Sequence, residues 1–131
     1  MQGRIIDEHF VNEKIHGVRG TSFQEFIRSL LLISKVKSKY IDTLTSEVNM
    51  KYYKIAFTHK EYDATENYEF FELLGDATLN KCLIWYLKDR FSVLNNAEGV
   101  KVLSRLKINL VSRESFSRIA RDYNFEPYIS F

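Results

Sequence analysis

A chain of 131 residues with a net charge of +2 is sized for one domain, and its global charge does not argue for a polyanionic partner. Hydrophobic residues at 45% and aromatic residues at 15% supply a core, which excludes disorder on composition. The single cysteine, Cys82, excludes an internal disulfide and a secreted, disulfide-stapled framework.

No apolar run reaches the ~20 residues of a membrane span, and the opening MQGRIIDEHF carries acids without the apolar stretch of a secretory signal. The expectation is an intracellular protein, in the cytoplasm, with no membrane contact.

Residues 1–21 are weakly patterned and read as an arm or a short helix, broken at Gly17 and Gly20. Residues 22–131 read as one helical domain. Ser22 and Glu25 have the spacing of a capping box, which predicts a helix start at Ser22. Phe23, Phe26, Ile27, Leu30, Leu31 and Ile33 give that helix an apolar face. Lys35, Lys37 and Lys39 follow, as a solvated helix end or as phosphate contacts. Ser46 can cap a second helix carrying Met50, Tyr53 and Phe57, and the polar stretch His59–Asn67 reads as a turn.

Tyr68–Phe91 is the organising stretch, long enough for about six turns at roughly 3.6 residues each. Apolar residues surround it almost completely, which predicts a buried helix. Cys82 then reads as a small core residue. Gly75 costs roughly 1 kcal/mol in a helix interior, so a backbone or ligand is expected close to it. Val93–Gly99 is a loop. Val100, Leu103, Leu106, Ile108 and Leu110 mark a further helix, and Ser112 caps a last one that Asn124 and Pro127 end. With no alternating strand pattern, the fold class is all-α, in five or six helices.

Glu69, Glu72 and Asp76 stand at i, i+3 and i+7, on one narrow stripe of the organising helix. Their hard oxygen atoms suit Mg²⁺ or Mn²⁺, and no Cys or His at zinc spacing lies nearby. The competing reading is ion pairing with lysines and arginines of neighbouring helices. A second cluster, Lys101, Arg105, Lys107, Arg113, Arg118 and Arg121, is opposed only by Glu114 between residues 101 and 121. It reads either as a phosphate-binding surface or as solvated helix faces.

The stretch EFFELLGDATL at Glu69–Leu79 resembles the ribonuclease III signature, Glu-x-Leu-Glu-Phe-Leu-Gly-Asp-Ala/Ser-x-Leu. Glu69, Glu72, Leu74, Gly75, Asp76, Ala77 and Leu79 match it, and Phe71 and Leu73 are conservative departures. Thr58-His59 stands ten residues earlier, like the family's Thr-His. LSRLKINLVSRESFSRIA at Leu103–Ala120 is similar to a third family block. The likeness covers about residues 46–128 and is closest in wording to proteins of large DNA viruses, for which host-cell cytoplasm would be the location.

The resemblance implies an all-α, Mg²⁺-dependent endoribonuclease specific for double-stranded RNA, working as a homodimer, with Mn²⁺ able to substitute. It implies that Glu72 and Asp76 are metal ligands and that Glu69 lines the same acidic cleft as a catalytic residue. Lys101, Arg105, Lys107 and Arg113 would bind the RNA. His59 is expected to be structural. The family's second acidic pair, Asp-x-x-Glu on a later helix, has no counterpart after residue 76. Asp63 and Glu66 have that spacing but lie in the polar turn and read as solvated. Glu98-Gly99 is a doubtful match to a further family acid. The domain therefore reads as incomplete at its C-terminal end, and this chain alone as inactive. The alternative function is a catalytically inactive ribonuclease III-like module that dimerises or holds RNA. A His-Asp phosphohydrolase is disfavoured, since no His-Asp doublet occurs.

Overall fold

The computed structural model describes residues 13–131 and is built of helices. They are α1 (Thr21–Ile33), α2 (Ser38–Leu44), α3 (Glu47–Ala56), α4 (Glu69–Arg90), α5 (Gly99–Leu110) and α6 (Arg113–Asp122). Two single-turn 3₁₀ segments lie at Ser92–Leu94 and Glu126–Tyr128. This is the all-α class expected. The reading of residues 1–21 as an arm or helix lies largely outside the described residues; from residue 13 to 19 the chain is not helical.

The helices form two compact units. One comprises Met1–Tyr68 with Pro127–Phe131, and the other Glu69–Glu126. In the first, Phe23, Phe26 and Ile27 of α1 are buried together because their i, i+3, i+4 spacing makes one face. Ile41 and Met50 complete the buried apolar set there. Phe57 meets Phe23 and Phe26 edge-on, with centroids 5.4 and 5.9 Å away. Tyr128, from the far end of the chain, stacks on Phe26 at 4.0 Å.

That return is fixed by backbone hydrogen bonds. Ser130 N–H donates to Phe57 O at 2.9 Å, and His59 N–H donates to Ser130 O at 2.8 Å. On the other side, Phe131 N–H donates to Ile15 O at 2.9 Å and Val18 N–H to Pro127 O at 2.9 Å. The closing segment is thus held between residues 15–18 and 57–59. Arg19 donates to the Tyr128 and Ser130 oxygens and lies over the Phe23 ring. Its burial lowers the guanidinium pKa from the usual value.

Two capping expectations are corrected. Ser46 stands at the N-cap of α3 but makes no side-chain cap hydrogen bond. Gly20, at φ 75°, starts α1 at Thr21, so Ser22 sits inside the first turn and makes no cap. The helix α2 went unread because its seven residues are too few to display a period. Ser112 does cap α6, accepting Ser115 N–H at 3.1 Å, and Asn124 ends it in the left-handed region at φ 56°.

The second unit overturns the expectation of a buried central helix. In α4 only Leu87 is buried; Phe70, Leu73 and Trp85 are 65%, 73% and 59% exposed. Within this unit α4 packs on α5 and on the Ser92–Leu94 turn, and these cover too little of a 22-residue helix. For the same reason Cys82 is exposed rather than a core residue. Nor does anything approach Gly75: a Cβ there would meet no atom within 4 Å. Close packing is real instead at Gly99, where a Cβ would collide with the backbone carbonyl of Leu94.

Candidate metal and RNA site

The acidic stripe is carried by the first two turns of α4, where acids also favour the helix dipole. Glu69, Glu72 and Asp76 are all exposed. Among the described residues neither Glu72 nor Asp76 forms an ion pair; the one formed is Arg28–Asp42, at 2.8 Å. The competing reading, in which neighbouring lysines and arginines absorb these charges, is therefore not realised for these two residues.

Helix geometry limits the stripe. With a rise of 1.5 Å per residue, Glu72 and Asp76 are about 6 Å apart along the axis, whereas Glu69 and Asp76 are about 10 Å apart. Consistent with that spread, the described residues contain no group of three or more His, Cys, Asp or Glu able to hold a metal ion. Two hard, unpaired carboxylates one turn apart do suit Mg²⁺, which takes one or two protein carboxylates and completes its shell with water and phosphate oxygens.

Sequence inspection passed over Asn80. It lies one turn beyond Asp76 on the same stripe, and its buried Oδ1 has no hydrogen-bond partner. Its i+4 spacing from Asp76 was the available signal.

The other acids have local duties. Asp63 Oδ1 accepts Glu66 N–H at 3.0 Å and Thr65 N–H at 2.8 Å within the exposed polar turn. Those backbone donors hold its carboxyl below the usual range. His59 is structural in its surroundings: Nδ1 accepts Glu61 N–H at 3.2 Å, and the ring stacks on Tyr68 at 5.6 Å. Glu98 is exposed beside Gly99 at the start of α5.

Of the basic residues, Lys101 and Arg105 are exposed one turn apart on α5. Lys107 is half-buried and sits about 200° round the helix from Arg105, so it does not share their stripe. Arg113 is exposed as the first residue of α6, just after its cap. None of the four is ion-paired among the described residues. No described helix is long and apolar enough to cross a membrane.

Residues 69–131 match the Ribonuclease III domain. The chain is 35% identical over 114 residues to the assigned ribonuclease 3 of Invertebrate iridescent virus 6, covering 87% of this chain and 39% of that protein. It is 36% identical over 99 residues to the one assigned in Frog virus 3, covering 76% of this chain and 26% of that protein. With ribonuclease 3 of Lactobacillus acidophilus the identity is 33% over 105 residues, 72% of this chain and 44% of that protein. The chain thus spans less than half the length of these relatives. No solved structure matches it. The signature-bearing helix α4, the domain match that begins at its first residue and the viral and bacterial relatives together place this chain in the ribonuclease III family.

Proposed function

We propose that the chain is one part of an endoribonuclease domain that hydrolyses double-stranded RNA with Mg²⁺, Mn²⁺ substituting, as a homodimer. The observation that carries this reading is the family signature on an exposed stripe whose Glu72 and Asp76 are unpaired. Glu72 and Asp76 would hold the cation, with Glu69 lining the same acidic face. A divalent ion bound there supplies a nucleophile at neutral pH and neutralises charge at the phosphodiester. Lys101, Arg105 and Arg113 hold phosphates without reading sequence, and Lys107 contributes from another side of α5. The wide apolar surface of α4 supports the dimer, since contiguous exposed apolar surface marks an interface.

A second reading is favoured by one observation, the lack of a three-residue metal cluster among the described residues. Under it, the chain is a scaffold that dimerises or holds RNA without cutting it. Incubation of labelled duplex RNA with Mg²⁺ separates the readings. This chain is expected to bind but not to cut efficiently, because two-metal chemistry needs cations about 3.5–4 Å apart and one stripe lines one side only. A longer protein carrying an Asp-x-x-Glu pair is expected to cut, and its Asp76→Asn variant to bind without cutting. A longer protein that binds duplex RNA but never cuts it would establish the scaffold. Binding should fall steeply as salt rises, with a slope that drops by roughly 2 when Lys101 and Arg105 become Gln, about 0.9 for each phosphate contact; a salt-independent affinity would contradict the phosphate role.

A further inference from the structure

We infer that the first unit carries its own contact surface for single-stranded RNA, formed by the lysines and exposed tyrosines of residues 35–52. This rests on RNA being the substrate class, but on different residues from those of the proposed duplex site. Between residues 35 and 54 five lysines stand against Asp42 and Glu47 alone, although the whole chain is only +2. Asp42 is already engaged by Arg28. Lys35, Lys37, Lys39 and Lys51 are exposed, and none is ion-paired among the described residues. Among the described residues, the positive charge of this segment is therefore not taken up by ion pairs.

Aromatic rings are interleaved with that charge. Tyr40 is 51% exposed with Lys39 Nζ 4.9 Å from its ring centroid. Tyr52 is 46% exposed with Lys51 Nζ 5.0 Å from its centroid. The two rings belong to α2 and α3, which pack on one another and are joined by the short link Thr45–Ser46. Ile41 and Met50 take the inward positions of these helices. Tyr40 and Tyr52 are thus left about half exposed. Exposed rings flanked by lysines offer an unpaired base a face to stack on and its phosphates a cation to meet. Duplex RNA presents no unstacked base, so the surface selects single strands or the unpaired flanks of a duplex.

The test is fluorescence anisotropy of a labelled ten-residue oligouridylate, and separately of a blunt 20-base-pair duplex, with the whole chain. Tyr40→Ala is expected to weaken oligouridylate binding about tenfold, within the range for loss of one stacking ring, while Tyr40→Phe retains it and the duplex affinity is unchanged. Replacing Lys35, Lys37 and Lys39 by Gln should lower the salt slope for the oligonucleotide by about 2, some 0.7 per lost phosphate contact on a single strand. Thermal melts of each variant confirm that it is folded. Wild-type affinity in Tyr40→Ala, or equal competition by inorganic polyphosphate of the same charge, would overturn the inference. Loss of duplex binding in Lys101→Gln/Arg105→Gln with oligouridylate binding retained supports two separate surfaces. If the wild type binds the duplex but not oligouridylate at low salt, this inference fails and the duplex reading stands.

Discussion

At the scale of residues, small polar residues and glycines have roles that their types alone do not announce. Asp63 ties its turn by accepting two backbone N–H groups, and its carboxyl pKa is lowered by them. Its unfolded pKa is about 3.9. A group with a lowered folded pKa contributes stability that is present in full above the unfolded value and is lost as pH falls through the folded one. Thermal melts from pH 7 to pH 2 should show Asp63→Asn less stable than wild type above about pH 4, with the gap closing below it. A gap that widens on acidification would contradict the assignment. Gly99 gives a sharper test. Its Cβ would collide with the Leu94 carbonyl, part of the backbone, so Gly99→Ala should cost about 2 kcal/mol in denaturant unfolding, as overpacking does. Gly75→Ala should instead be neutral or stabilising, since only helix propensity is at stake there.

At the scale of elements, α4 separates what a sequence can declare from what it cannot. Its length, its ends and its acidic stripe follow from local rules, and Glu69–Arg90 is found within one residue of Tyr68–Phe91 at each end. Its burial was not legible, because apolar content says that a surface needs covering without saying what covers it. The same limit applies to Cys82 and Gly75, both read as packed and both open. The helix α2 was missed for a different reason: seven residues span barely two turns, and its lysines concealed the one buried position, Ile41. Exposure of Phe70, Leu73, Leu74 and Trp85 on one helix predicts self-association. Light scattering coupled to size exclusion should give a dimer mass for the wild type and a monomer mass for Leu73→Asp/Trp85→Glu. A monomeric wild type at micromolar concentration would contradict the dimer.

At the scale of the molecule, the helices form two compact units. The first is closed by Pro127–Phe131, which the chain brings back to stack Tyr128 on Phe26 and to pair with residues 15–18 and 57–59. No sequence pattern marked this return, because a single backbone bridge has no period to read. The second unit carries the signature, which was legible at once; among the described residues Glu72 and Asp76 are exposed and form no ion pair. These two carboxylates are proposed to hold a divalent cation together. This is tested most directly by titrating Mn²⁺ into the chain and following the free ion by electron paramagnetic resonance. One weak site is predicted for the wild type and for Glu69→Gln, lost in both Glu72→Gln and Asp76→Asn. Unchanged Mn²⁺ binding in Asp76→Asn, or loss in Glu69→Gln alone, would contradict it.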